Sequence, residues 1–380
     1  MNSETKTLRI AVIGCGKIAD QHLLAFRRIA GCEVVALCDR EVLMAGQLGE
    51  RFGVTACFAD AAEMLRIAKP DVVHITTPPQ GHFSLAKLCL EAGSHVYLEK
   101  PFTVTAPEAE ELMRVAESRG LKITAGHNLQ FTLEMLAMRR LVAQNFLGGK
   151  PVHLESHFAY DLGDTSYVGP LLGNRQHWVR QLPGQLLHNI LSHGIAKLCE
   201  FLDDEVKVIA SAHQSAQLRQ LGGEEILDEL RVLLRDASGT TAFFCFSTQL
   251  KPGRNHLRIC GPVNSIEVDH ASGTLARLEN KSYKSYLTFF APPLVSARQN
   301  LRNAGRNIID FLQGRLHQDS GMKELIERFY QNIRGHAAPP IPYREILLTA
   351  RIMDEIFKQI YSAKTTSLTA PEPAASAQKK

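Results

Sequence analysis

Leu8-Arg9-Ile10-Ala11-Val12-Ile13-Gly14-Cys15-Gly16-Lys17-Ile18-Ala19 decides the fold of this chain. Its first six residues, mostly apolar, read as a short strand. Gly14-Cys15-Gly16-Lys17-Ile18-Ala19 has the pattern G-x-G-x-x-A, and a helical pattern runs on to about Ala30. The first glycine permits a tight turn, the second lets the backbone approach a pyrophosphate, and small Ala19 lets helix pack on strand. The helix N-terminus offers unpaired N–H groups and a positive dipole end to phosphates. Glu33-Val34-Val35-Ala36-Leu37-Cys38 reads as a second strand with Asp39 at its end, where a carboxylate accepts hydrogen bonds from an adenosine ribose. Strand, loop, helix, strand and acid in this order predict a dinucleotide site. Asp39 repels a 2′-phosphate, which favours NAD, while Arg40 leaves NADP open. The plain alternative is a glycine turn in some other α/β protein.

Outward from that stretch, strands over residues 54–58, 71–76, 95–99 and 121–125 alternate with helices over 41–52, 61–68, 82–92 and 107–119. Such alternation implies a doubly wound parallel sheet, whose ligands lie at the carboxyl ends of the strands. Thr76-Thr77-Pro78, Glu99-Lys100-Pro101 and His127-Asn128 all fall at such ends. Near residue 130 the rhythm changes. Extended runs at 152–160, 206–213, 229–234, 241–248, 256–260, 265–269 and 274–278 surround one helix at about 186–202. They predict a C-terminal α+β domain with a largely antiparallel open sheet. Asp161 to Pro183 reads as a long irregular segment, and helices at about 295–316, 322–335 and 343–361 close the chain. The expected division is a disordered start (1–6), a Rossmann domain (7–126), a substrate-binding and oligomerisation domain (127–362) and a disordered tail (363–380).

The bulk numbers exclude more than they assign. The chain has 380 residues, 45% hydrophobic and 22% charged, with a formal charge of +4. That balance gives no general attraction to nucleic acid or membrane. No apolar run approaches the ~20 residues of a membrane span. Met1 to Lys6 lacks the apolar segment of a secretory signal. The eight cysteines include no C-x-x-C pair and read as reduced thiols of a cytoplasmic protein. Cys15 lies in the phosphate loop, where a small side chain filling a gap is its simplest reading. No metal site is expected.

Glu99-Lys100-Pro101 carries the sharpest chemical signal. A lysine at the end of a central strand can trade a proton with a substrate hydroxyl, and partial burial lowers its pKa towards the working pH. Glu99 can orient it. Alone, the tripeptide reads better as a surface lysine before a helix. Together with Gly14-Cys15-Gly16-Lys17-Ile18-Ala19, Cys38-Asp39-Arg40, and Thr76-Thr77-Pro78-Pro79 with His82, it resembles the Gfo/Idh/MocA family of NAD(P)-dependent oxidoreductases. These act mostly on sugars, inositols and nucleotide sugars. The resemblance covers roughly residues 7 to 362. It implies a Rossmann domain followed by a domain whose open sheet often mediates oligomers, here a homodimer or homotetramer. It implies that Lys100 is the catalytic lysine and that Gly14, Gly16, Lys17, Ile18, Ala19, Asp39, Arg40, Thr76, Thr77, Pro78, His82, Glu99 and Asn128 attend the cofactor.

The family usually has a glycine-rich turn, then a helix with Asp or Asn four residues before a catalytic His, then often Asp three residues on. Here Asn189 and His193 match that pair and share a helix face. Gln185 stands where a glycine is common, and Ala196 replaces the later Asp. His188 points elsewhere on the helix and reads as structural. His127 ends the sixth strand, where a substrate contact or a hinge role are both open. In the long segment, Tyr160, Tyr167, Arg175, His177, Trp178 and Arg180 supply aromatic and cationic groups. Arg175 and Arg180 suit a carboxylate or phosphate, and Trp178 suits a sugar face. Trp178 also matches a Trp that the family often has just before the glycine-rich turn; for each of the others alone, loop packing is the better explanation. The expected activity is hydride transfer between NAD(H) and a hydroxyl carbon of a sugar or sugar derivative. The alternatives are a redox-neutral enzyme that retains its NAD, and a non-catalytic nucleotide-binding regulator.

Overall fold

The computed structural model describes residues 7–163, 165–223, 225–316 and 320–367. The first sheet comprises β1 (Leu8–Ile13), β2 (Cys32–Cys38), β3 (Cys57–Phe58), β4 (Val72–Ile75), β5 (His95–Leu98) and β6 (Ile123–Ala125). They are joined by α1 (Lys17–Phe26), α2 (Val42–Phe52), α3 (Ala61–Ala68), α4 (His82–Glu91) and α5 (Ala106–Ser118). All five pairings are parallel, in the order β3-β2-β1-β4-β5-β6. Chain order reverses between β1 and β4, and ligands of doubly wound sheets lie at that switch point. Local signals set the helix starts. Asp60 accepts from the Glu63 N–H at 2.7 Å at the start of α3, and Thr105 and Glu108 form a capping box on α5.

α6 (Leu133–Ala143) leads into the second sheet, which comprises β7 (His153–Ala159), β8 (Val206–His213), β9 (Glu229–Asp236), β10 (Thr241–Ser247), β11 (Asn255–Cys260), β12 (Ser265–Asp269) and β13 (Thr274–Leu278). Their order is β13-β12-β11-β7-β10-β9-β8. Every pairing is antiparallel except β7 with β10. Inserted or following helices are α7 (Thr165–Gly173), α8 (Gln185–Cys199), α9 (Ala216–Gln220), α10 (Leu287–Leu312), α11 (Ser320–Ile333) and α12 (Tyr343–Ser367). Two apolar cores result. α11 packs into the first, α8 into the second, and α12 contributes to both, through Ile346 and through Leu348 to Ile360.

Four expectations differ from what forms. Residues 161–183 hold α7 and a 3-10 turn, Trp178–Gln181; Gly169 and Pro170 interrupt the sequence pattern there without stopping the helix. The strand expected at 54–58 pairs only at Cys57 and Phe58, because it is the sheet edge with one neighbour. α10 begins at Leu287, not at about residue 295, and carries Pro292 and Pro293 inside it, each of which removes one intrahelical N–H donor. α12 runs through residues 363–367, the first part of the expected tail. Residues 1–6 and 368–380 lie outside the described residues. No helix among these is long and apolar enough to cross a membrane.

Candidate active site

The loop after β1 is shaped by close approach. Gly14 has φ +95°, and a Cβ there would lie 2.8 Å from the backbone of Thr76 and Thr77. A Cβ on Gly16 would meet nothing within 4 Å, so the space beside that part of the loop is open. Thr76 Oγ1 donates to the carbonyls of Ile13 and Gly14 and closes the loop onto the end of β4. Asp39 Oδ2 accepts from Cys15 N at 2.7 Å, and Oδ1 from Glu41 N at 2.9 Å. The Asp39 carboxylate thus ties the loop to the turn after β2. Lys17 and Ile18 are exposed at the helix start, Ala19 is buried, and Arg40 is exposed. Burial, then the Asp39 charge, pushes the Cys15 thiol up to about 12. It therefore stays a protonated filler. The glycine cradle, the unpartnered buried Thr77 Oγ1 and the strand-end acid fit a dinucleotide.

His82 is buried. Its Nδ1 lies 3.0 Å from the Pro101 carbonyl oxygen, and its Nε2 lies 2.9 Å from that of Thr77. The ring therefore pins the turns after β4 and β5 together and acts on any ligand through Thr77, Pro78 and Pro101. Lys100 follows β5 and is partly buried. Its Nζ donates to the Asn189 carbonyl at 3.1 Å. Burial lowers its pKa, and the Glu99 charge opposes that shift. Glu99 Oε2 accepts from the Lys100 N–H at 3.2 Å, and Oε1 lies 2.9 Å from His22 Nε2. Despite its burial, Glu99 is held below the usual carboxylate range by His22 and Lys100.

The facing wall is α8. Gln185 opens it with φ +47°, the left-handed backbone that a glycine adopts at least cost. A Cβ on Gly194 would lie 2.1 Å from Phe244, so that glycine lets α8 lie against β10. Asn189 is buried, and one turn later His193 stacks on Phe158, with ring centroids 5.9 Å apart. Burial pushes the His193 pKa well down, and the charges of Lys100, His127, Lys197 and His270 add to it. His193 Nδ1, both ring nitrogens of His127 and Asn128 Oδ1 are buried without protein partners. Burial pushes His127 down to about 4. His188 stacks on Phe357 at 4.8 Å, away from this face. Ala196 leaves its carbonyl to Gln130 Nε2.

The structure separates the aromatic and cationic set of residues 160–180. Trp178 stacks on His177, and its carbonyl accepts from Gln80 Nε2 at 2.7 Å, which brings it beside the turn after β4. The Arg180 guanidinium donates to the carbonyls of Leu171 and Leu172, closing the end of α7. Arg175 is exposed, and Tyr160 packs against the second core. The side chain of Tyr167 lies outside the described residues. Lys197, one turn beyond His193, escaped the sequence reading. It is fully buried, donates to Asn255 Oδ1 at 3.3 Å, and is pushed by burial down to about 7. Its i+4 spacing from His193 was the available signal. No group of three His, Cys, Asp or Glu among the described residues is placed to hold a metal.

Residues 8–127 match the family model described as an oxidoreductase family with an NAD-binding Rossmann fold. A D-apiose dehydrogenase of Paraburkholderia graminis is 29% identical over 77% of this chain and 75% of its own length. A D-glucoside 3-dehydrogenase of Escherichia coli is 34% identical over 37% of this chain and 40% of its own. The WlbA dehydrogenase of Bordetella pertussis, solved with NADH and UDP-GlcNAcA, superposes with a TM-score of 0.75 over 94% of this chain and 96% of that one. At 16% identity this likeness speaks for the fold. Residues 8–127 thus carry the NAD-binding Rossmann domain of the Gfo/Idh/MocA oxidoreductases.

Proposed function

We propose that this protein is an NAD-dependent dehydrogenase of a sugar, an inositol or a nucleotide sugar, with Lys100, His193 and Asn189 as its catalytic residues. The observation that carries this reading is the 3.1 Å contact from Lys100 Nζ to the Asn189 carbonyl. It brings the strand-end lysine to the helix turn before His193, at the carboxyl end of the sheet. Relatives named as dehydrogenases of D-apiose and of D-glucosides support the substrate class. When bound, the nicotinamide accepts the hydride. His193, kept neutral by burial and by surrounding positive charge, accepts the hydroxyl proton. The Lys100 ammonium stabilises the oxygen as negative charge develops on it. Asn189 fixes the height of Lys100 through its carbonyl, and His127 turns unpartnered nitrogens towards a polyhydroxylated ligand. Gly14, Gly16, Lys17, Ile18, Ala19, Asp39 and Arg40 hold the dinucleotide, with Thr76, Thr77, Pro78 and Asn128 at its nicotinamide end. Trp178 borders the sugar.

A screen of sugars, inositols and nucleotide sugars for NADH production tests the reading. Turnover on at least one class is expected, and a complete lack of turnover across all three would sink it. The protein is further inferred to be a cytoplasmic homo-oligomer. Eight free cysteines support the compartment. The outward side of the second sheet supports assembly, with Ile209 67% and Leu233 54% exposed. Light scattering at a mass above one chain is the expected result.

A further inference from the structure

Glu99 ends a row of buried polar side chains that crosses the first core. His22 Nε2 lies 2.9 Å from Glu99 Oε1, His22 Nδ1 lies 3.0 Å from His74 Nδ1, and His74 Nε2 lies 2.9 Å from the Tyr330 hydroxyl. His22, His74 and Tyr330 are wholly buried and come from α1, β4 and α11. His74 stacks on Tyr97 with centroids 4.5 Å apart. Buried polar groups are tolerated when hydrogen-bonded, and Glu99, His22, His74 and Tyr330 each have a partner. The row ends in room made for it: a Cβ on Gly126 would lie 2.9 Å from Glu99 Oε1.

The direction of the row follows from what each group can do. An ionised carboxylate only accepts, and a neutral imidazole has one donor and one acceptor. With both rings neutral, His22 donates from Nε2 to Glu99 and accepts at Nδ1. His74 donates to it from Nδ1 and accepts at Nε2, and the Tyr330 hydroxyl donates there. Three hydrogen bonds run one way and finish on Glu99, which also receives the Lys100 N–H.

We propose that His22, His74 and Tyr330 are positioning residues, which keep the Glu99 carboxylate ionised and fixed beneath the lysine of the site. This rests on the reading of Lys100 as a catalytic group. The side chains that face Glu99 and Lys100 are His22 from α1, His74 from β4, Tyr97 from β5, His82 from α4, His127 beyond β6, and Asn189 and His193 from α8. None of these supplies a second negative charge, and the charge acting on Lys100 is that of Glu99. A weakened row lets Glu99 take up a proton, and Lys100 then loses its counter-charge.

Two measurements need no substrate. In the wild-type protein at about pH 8.5, where an ordinary imidazole is neutral, nitrogen NMR should find the proton of His22 on Nε2 and that of His74 on Nδ1. Either ring in the other tautomer would overturn the one-way row. Competitive acetylation of Lys100 across pH, read by mass spectrometry, gives its apparent pKa. His22→Leu and Glu99→Gln should each lower it by about one unit. His22→Gln, whose amide can donate from nearly the same place, should restore it, and Tyr330→Phe should move it least. An unmoved Lys100 in a folded His22→Leu variant overturns the proposal, and should that variant not fold, the wild-type tautomers decide. Lys100→Met separates the two readings: its loss of turnover with an unmoved Lys100 pKa in His22→Leu sinks only the positioning row, whereas full turnover in Lys100→Met sinks the catalytic assignment.

Discussion

The two walls of the site are finished to different degrees. On the Rossmann wall, Glu99, His22, His74 and His82 each have protein partners within 3.2 Å. On the α8 side, His193 Nδ1, Ser192 Oγ and Gln130 Oε1 are buried with no protein partner, as are both nitrogens of His127 beyond β6; on the Rossmann wall Thr77 Oγ1 and Tyr97 Oη share that state. An unsatisfied buried polar group costs about 1–3 kcal/mol. The Glu99 row is therefore satisfied before any ligand arrives, and most of the hydrogen-bonding capacity held in reserve lies on and around α8. That is the division expected of a site where a strand end must hold one lysine still while a helix reads several hydroxyls.

The largest expected effect probes the finished wall. Lys100→Met should keep the fold and the dinucleotide affinity but lower kcat by ~10²–10³-fold, the usual worth of a donor aimed at developing negative charge. Wild-type-like kcat would break the comparison at its strongest point. His193→Ala should cost a similar or somewhat smaller factor, and Asn189→Asp sharpens why. A carboxylate there raises the His193 pKa, so the acidic limb of kcat/KM for oxidation should move up in pH, read against Lys100→Arg to separate the lysine's own limb. An unmoved limb would mean that the two side chains do not couple.

A third effect lies deeper in the α8 side. Lys197 has a folded pKa of about 7 against an ordinary value of 10.5. Between those values the unfolded chain binds one proton more than the folded one, so stability rises with pH there, by about 1.4 kcal/mol per unit. Urea unfolding from about pH 7.5 to 9.5 should show that slope in the wild type and not in Lys197→Met. Equal slopes would place a counter-charge beside Lys197. The smallest effect concerns Asp39, which bonds two backbone N–H groups of its own chain. Asp39→Ala should weaken NAD several-fold in calorimetry and narrow its preference over NADP. A wild type that binds NADP tenfold more tightly than NAD would remove Asp39 from ribose recognition.

What could be read without coordinates was what is local. The loop Gly14–Ala19, Asp39 at a strand end, Asp60 as a cap and Asn189 with His193 on one face each need fewer than about six neighbouring residues to recognise. Gln185 was visible as a departure, and its positive φ gives the reason a glycine suits that place. What could not be read depends on distant partners. Arg180 looked like an anion receptor, yet carbonyls brought round by α7 take its donors. His22 and His74 stand 52 residues apart, and Tyr330 a further 256 beyond His74. Lys197 drew no reading at all, because its partner, Asn255 of β11, stands 58 residues away.

α12 has a consequence for how the molecule comes apart. Tyr343 Oη accepts from Ile123 N in β6, Asp354 accepts from Ala106 N at the start of α5, and Arg351 pairs with Glu110. The same helix binds the last turn of α8 through Arg344 and the edge strand β8 through Gln359. Chains with two separate cores commonly lose them in separate steps. Here neither core can melt without stripping polar partners from a helix that the other still holds. The protein should therefore unfold in one cooperative calorimetric transition. Cutting the tie at Asp354 and Gln359 together should split that transition in two.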